Sequence, residues 1–255
     1  MLLVIDIGNT NITLGVFDGD EKKMTARIST QTNKTGEQYA VEIMTILWLH
    51  KIKAEDLNGC IVSSVVPALS RAFKKACGLI GIEEPLFVGP GVKTGLNIKI
   101  DNPAQLGADL AVGAVAAINK YPLPLVILDL GTATTISVVD KEGSFLGGPI
   151  CAGLGISLEA LTSKTSQLPG ISLETPKSVI GKNSIDSMKA GLVIGTACMV
   201  EGLILRIEEE LGEKVTVVAT GGLAGEVVKN CKRDIEINDY LLLDGLKLIY
   251  EKNKK

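Results

Sequence analysis

Three acids stand among residue types that could give them chemical work. Asp6 closes an apolar run and is followed by Ile7 and the small polar turn Gly8-Asn9-Thr10, after which Asn11, Ile12 and Thr13 open a returning strand. A carboxylate beside such a turn suits Mg·ATP. Backbone N–H groups at a tight turn form an anion-binding concavity, and hydroxyl and amide side chains add donors for phosphate oxygens. The acid can hold the magnesium or its waters, because Mg²⁺ prefers oxygen ligands and keeps several waters. Asp and Asn also serve hairpin turns for purely structural reasons. Asp109 lies in a stretch with no Lys or Arg from Pro103 to Asn119, so on a helix nothing three or four positions away can pair with it. Its same-face neighbours would be Gln105, Val112, Gly113 and Ala116, mostly small. A carboxylate there could act as general base for a hydroxyl, worth about 10²–10⁴-fold in rate; the plain alternative is an exposed acid that the helix dipole favours. Asp129, in LDLGTATT, is the third.

Asp6 and Asp129 belong to a repeat. VIDIGNTNITLGVFD at residue 4 has its counterpart in ILDLGTATTISVVD at residue 127, with Gly8 matching Gly131. Each copy reads as a buried-type strand, a small polar turn and a returning strand, a β-hairpin by pattern. Two unrelated hairpins would look the same singly, but two at half-chain spacing argue for a duplicated α/β architecture of two lobes. The expected cut falls at NKYPLP, giving lobes 1–120 and 121–255.

Other elements must place these residues. Thr35 and Gln38 form a T-x-x-Q capping box ahead of a helix with Ala40, Ile43, Met44 and Leu47 at helical spacing. His50 falls near its C-terminal end and reads as a surface residue. GCIVSSVVP is a buried-type strand, and Pro67 opens a helix to about Cys77. FVGPGVKTGLNIKIDNP reads as a long loop delivering Asn102 as the N-cap of a helix that runs to Asn119. Another helix runs from Asn183-Ser184 to Leu211, where Gly191 and Gly195 mark either internal packing, the reading preferred, or a subunit contact. VTVVATGGLAGEVV reads as the last strand, a Gly-Gly turn open to a nucleotide base or ribose, and a helix. The tail EKNKK reads as a solvated, frayed end.

Composition narrows the partners. With 46% hydrophobic and 22% charged residues over 255 positions the chain reads as globular, and a net charge of −3 supplies no general attraction to nucleic acid or anionic membrane. Five cysteines without a CxxC, and a single histidine, support neither a disulfide framework nor a zinc site. The first residues lack a basic leader and no 18 apolar residues run together, so a cytoplasmic protein outside membranes is expected.

Taken in order, DIGNTN at 6, SSVVP at 63, GPGVKTGLNI at 89, DNPAQLGAD at 101, LDLGTATT at 128, LTSKTSQLP at 161, GKNSIDSMKAG at 181 and ATGGLA at 219 resemble the type III pantothenate kinases. These belong to the actin-like, sugar-kinase and Hsp70 nucleotide-binding superfamily. The resemblance implies a duplicated actin-like (ribonuclease H-like) fold, each lobe a central mixed sheet flanked by helices. It implies ATP-dependent phosphorylation of pantothenate, the first step toward coenzyme A, by a homodimer. It places ATP on Asp6, Ile7, Gly8, Asn9, Thr10, Asn11, Ile12, Thr13 and Thr132, with Mg²⁺ near Asp6. It makes Asp109 the general base, Asp129 a holder of K⁺ or NH₄⁺, and Gly107, Ala108, Asp109, Leu110 and Ser184 the substrate contacts. The family pattern has Arg where this chain has Leu110 and commonly an aromatic where it has Ile100. Leucine cannot replace a bidentate guanidinium. A nucleotide-binding regulator with weakened catalysis, or a kinase of another small hydroxyl compound, are therefore the rival readings.

Overall fold

The computed structural model describes residues 1–254. In chain order it has β1 (Leu2–Ile7), β2 (Asn11–Asp18), β3 (Glu21–Ser29), α1 (Gly36–Leu49), β4 (Gly59–Ser64), α2 (Pro67–Leu79), β5 (Leu86–Phe87), β6 (Asn97–Ile98) and α3 (Ala108–Lys120). There follow β7 (Leu125–Leu130), β8 (Ala133–Val139), β9 (Ser144–Gly147), β10 (Ile150–Ala152), α4 (Leu154–Lys164), α5 (Ser184–Lys189), α6 (Gly195–Leu211), β11 (Thr216–Thr220), α7 (Ala224–Val228), β12 (Glu236–Ile237) and α8 (Leu241–Asn253). The chain is α/β, with two mixed sheets flanked by helices.

It divides into two compact units, and not by the single expected cut after residue 120. The first unit comprises Met1–Gly95, Asn102–Ala116 and α8; the second comprises Leu96–Asp101 and Ala117–Tyr240. The first sheet has the order β3-β2-β1-β4-β5, with β1 antiparallel to β2 and parallel to β4. Alternate residues Leu3, Ile5, Ile7, Ile12, Leu14 and Val16 turn one face into the core with Tyr39, Ile43, Leu47 and Phe73 of α1 and α2. The period of two in the strands and of 3.6 in the helices brings these sets together. α8 packs on β1, β2 and β4 and comes so close at Gly59 that a Cβ there would stand 1.9 Å from Tyr250 Oη. The second sheet runs β12-β11-β7-β8-β9-β6, with β10 beside β8. Val126, Leu128, Leu130, Ile136 and Val138 pack there with Val193, Ala197, Val200 and Ile204.

The capping box at Thr35 and Gln38 is present in both directions, Pro67 opens α2, and His50 is the exposed C-cap of α1. Met44, expected inside, is 49% exposed, because the buried stripe of α1 runs through Ala40, Ile43 and Leu47. The loop around residue 97 contributes β6, held to β9 in parallel. The expected helix from Pro103 is interrupted: Asn102 caps a 3-10 turn over Pro103–Gln105, and α3 begins afresh at Ala108. The helix from Ser184 to Leu211 contains a π-helical turn over Ala190–Ile194. Gly191 and Gly195 lie exposed on it, so the preferred internal-packing reading is corrected: its buried face is Val193, Ala197, Val200 and Ile204 instead. By length and composition alone this helix is apolar enough to cross a membrane. β11 is followed by a further short strand, β12, and the tail is helical as far as Asn253; Lys255 lies outside the described residues. All five cysteines are free.

Candidate active site

In the first unit, β1 and β2 meet at a turn closed by Gly8 N–H donating to Asn11 O at 3.0 Å. Thr30, just past the end of β3, steadies it, its Oγ1 donating to Gly8 O at 2.6 Å and its N–H to Thr10 O at 3.0 Å. Asn9, Thr10 and Asn11 are exposed, whereas Ile7 and Ile12 are fully buried. Of the expected ATP-binding run, Ile7 and Ile12 therefore offer a ligand no side chain, and the side-chain donors are those of Asn9, Thr10, Asn11 and Thr13. Asp6 sits one residue before the turn, opposite Thr13 on β2 and Ser63 on β4. Register partners share a face and strands lie about 4.8 Å apart, so Thr13, Asp6 and Ser63 form one polar row across three strands.

The second unit repeats that row. Asp129 on β7 stands opposite Thr135 on β8 and Thr220 on β11. Its Oδ1 lies where only glycine fits: a Cβ on Gly221, whose φ is +98°, would come within 2.7 Å of it and one on Gly131 within 3.1 Å. The Gly-Gly turn, expected to admit a base or ribose, thus has a first duty toward the end of β7. Thr132 is exposed at the tip of the hairpin. By residue type the two rows differ only where Ser63 of the first corresponds to Thr220 of the second.

Asp109 occupies the first turn of α3, also in the first unit, with Gly107, Ala108 and Leu110, and all four are half-buried. Its Oδ1 accepts from Leu110 N–H at 2.8 Å. Burial pushes its pKa above the ordinary aspartate value, opposed by the backbone N–H groups of Leu110 and of Asp109 itself. Among the described residues no Lys or Arg forms an ion pair with it. The chemistry is that of a base: a carboxylate short of solvent and counter-charge gains proton affinity. Ser184 lies in the second unit, exposed at the start of α5, where Asn183 caps the helix by accepting from Asp186 N–H at 2.9 Å. It lines a shallow cleft of about 760 Å³ with Leu161, Leu168, Lys182, Ser187 and Met188. Ile100 is half-buried in the second unit, near Gly147.

No cluster of three or more His, Cys, Asp or Glu side chains exists among the described residues. A divalent ion here would have one carboxylate and otherwise hydroxyl, water and phosphate oxygens, which is what Mg²⁺ accepts and what Zn²⁺ does not favour. The Asp6 row and the Asp129 row both offer such oxygen donors. Sequence reading found the acids and missed Ser63, Thr135 and Thr220. SSVVP stood out as a motif, but only the register shows which acid Ser63 faces.

The repeated hairpin, the acid beside each turn and the two mixed sheets define an actin-like ATPase fold. The activator of 2-hydroxyisocaproyl-CoA dehydratase from Clostridium difficile, solved with ADPNP, shares this fold: TM-score 0.60 at 17% identity, over 100% of this chain and 98% of that one. The family model for type III pantothenate kinase matches residues 2–206. A type III pantothenate kinase of Brevibacillus brevis is 44% identical over all of both chains, and one of Geobacillus sp. is 43% identical over 99% of this chain and 98% of its own. The chain belongs to the type III pantothenate kinase family.

Proposed function

We propose that Asp109 takes the proton of the primary hydroxyl of pantothenate as that oxygen receives the γ-phosphoryl group of ATP. The reaction itself is the family's: ATP-dependent phosphorylation of pantothenate in coenzyme A biosynthesis. The observation that carries the residue assignment is the carboxylate of Asp109, desolvated, without a cationic partner and with a raised pKa at the start of α3. A base of higher pKa draws the proton from an alcohol more strongly. The proton ends on Asp109, the phosphoryl group on the alcohol oxygen, and ADP leaves.

The Asp6–Thr13 hairpin suits the phosphates, with exposed Asn9, Thr10 and Asn11 as donors, no side chain from Ile7 or Ile12, and Thr132 adding a nucleotide contact from the second hairpin. Asp6 would hold Mg²⁺ or its waters, and bound magnesium would neutralise charge on the transferring phosphates. Asp129, beside Thr135 and Thr220, suits a weakly held monovalent cation, K⁺ or NH₄⁺. Gly107, Ala108, Leu110 and Ser184 are the proposed substrate contacts. The protein works as a cytoplasmic homodimer, independent of nucleic acid and membranes. The outer face of the 184–211 helix favours a second copy: Gly191, Gly195, Cys198, Gly202 and Leu205 are all exposed at the alternating three- and four-residue spacing of a helix-pairing seam.

Coupled ADP release with Mg²⁺ and K⁺, run on pantothenate and on a panel of hydroxylated acids and amides, tests the reading, with Leu110→Arg beside wild type. Pantothenate is expected to give the highest kcat/KM. A better acceptor would move the substrate assignment, and no turnover with any acceptor would leave a nucleotide-binding regulator. Improved turnover in Leu110→Arg would show that this position limits the enzyme.

A further inference from the structure

Ser63 brings a buried, unbonded hydroxyl to its row. It is fully buried at the end of β4, and its Oγ makes no hydrogen bond. A buried hydroxyl without a partner costs stability, so its presence calls for a physical account. Its surroundings narrow the account. β5 pairs with β4 only through Ile61 and Val62, so the polar side chain across the ladder from Ser63 is Asp6. The second unit has a buried, unbonded hydroxyl beside its acid on the other side: Thr135 Oγ1, on the returning strand of the hairpin as Thr13 is in the first unit, stands opposite Asp129, while Thr220 holds the place that corresponds to Ser63. An isolated orphan hydroxyl could be an accident of packing. Ser63 and Thr135 each stand directly across from the acid of a hairpin, Ser63 on the neighbouring parallel strand and Thr135 on the returning one, so each has a carboxylate as its nearest polar neighbour across the ladder.

We propose that Ser63 is a positioning residue for Asp6 in the magnesium–nucleotide complex: its hydroxyl donates to one carboxylate oxygen and leaves the other directed at the metal or a metal-bound water. The inference rests on the reading of Asp6 as the metal-side carboxylate. The chemistry is that of outer-shell partners generally. A hydroxyl can donate to a carboxylate that accepts only, and such a bond fixes the carboxylate's orientation, so its loss typically weakens metal affinity by about 10–100-fold. Ser63 does not touch the reacting atoms; it acts through Asp6.

The test uses the full chain, a non-hydrolysable ATP analogue and a Mg²⁺ titration followed by thermal shift, with no acceptor substrate present. Ser63→Ala removes an unpartnered hydroxyl, so the melting temperature without ligands is expected to hold or rise. The Mg²⁺ concentration for half-maximal stabilisation by the analogue is expected to rise about tenfold or more, and Ser63→Thr, which keeps the hydroxyl, is expected to restore it. A residue serving packing alone would show the opposite pattern, a lower melting temperature and an unchanged Mg²⁺ requirement. Asp6→Asn, measured alongside, separates the two levels. If Asp6→Asn loses the Mg²⁺ response while Ser63→Ala keeps it, the role of Ser63 is overturned and Asp6 stands. If Asp6→Asn keeps the response, both fall.

Discussion

Gly107 and Asp109 are fitted to each other: a Cβ on residue 107 would stand 2.5 Å from Asp109 Oδ1, the oxygen that accepts from Leu110 N–H. Any side chain at 107 must displace that carboxylate oxygen from its place against Leu110 N–H. Gly107→Ala is therefore expected to lower kcat by on the order of 10²-fold, the usual cost of a misplacement near 1 Å. Far-UV circular dichroism should stay unchanged. Wild-type kcat in that variant would show that the carboxylate's placement does not matter.

Asp109→Asn is expected to reduce kcat by about 10²–10⁴-fold, the range of general-base contributions. Because burial raises the pKa of Asp109 in the folded state, the cost of keeping the carboxylate charged is fully present above that raised pKa and is relieved as pH falls through it. The amide, which carries no charge, should match or exceed the wild-type melting temperature at neutral pH, and the difference should shrink in acid. The same shift places the acid limb of the wild-type kcat/KM profile above the ordinary aspartate range. Calorimetry at two pH values and a pH–rate profile check both.

Glu208, buried on α6, is held at a pKa of about 2, chiefly by the Arg233 guanidinium and then by Lys214 and Val215 N–H. The carboxylate's pKa is depressed, so its stabilising share is complete above its ordinary value of 4.5 and is lost as pH falls from there toward 2. Removing one partner of a buried pair leaves the other uncompensated, so Arg233→Gln is expected to cost on the order of 3 kcal/mol at neutral pH. Urea unfolding at pH 7 and at pH 3 should show that gap narrowing in acid.

The exposed seam on the 184–211 helix makes a separate forecast. Gly195→Glu places a charged side chain in the line of Gly191, Cys198 and Gly202 without entering the core. Sedimentation velocity should find the wild type as a dimer and the variant as a monomer. A monomeric wild type would sink the assembly.

Much of this arrangement was legible in the residues. The capping box at Thr35 and Gln38, Pro67 at the head of α2 and both hairpins are local patterns that tertiary packing had no cause to override. The interruption ahead of α3 was not, since Leu106 and Gly107 lie within a stretch whose helical period continues across them, and a single glycine is compatible with a helix. What breaks it is Asn102 capping the turn before it and Asp109 folding back over Gly107. β6 and β12, two residues each, exist because a sheet edge is there to receive them. α8 went unread although LLLDGLKLIY has apolar residues at helical spacing, and its place in the first unit is set by contacts nearly a chain length away. The acids of the candidate site were visible. The hydroxyls beside them were not, because register is decided by neighbouring strands.

The return of α8 to the first unit has a bearing on how the polypeptide is made. Its contacts with β1, β2 and β4 mean that these strands leave the ribosome well before the helix that packs on one side of their sheet. During synthesis that side stays open to the solvent or to chaperones. The N-terminal half, released by itself, would be an unfinished body and not a smaller enzyme.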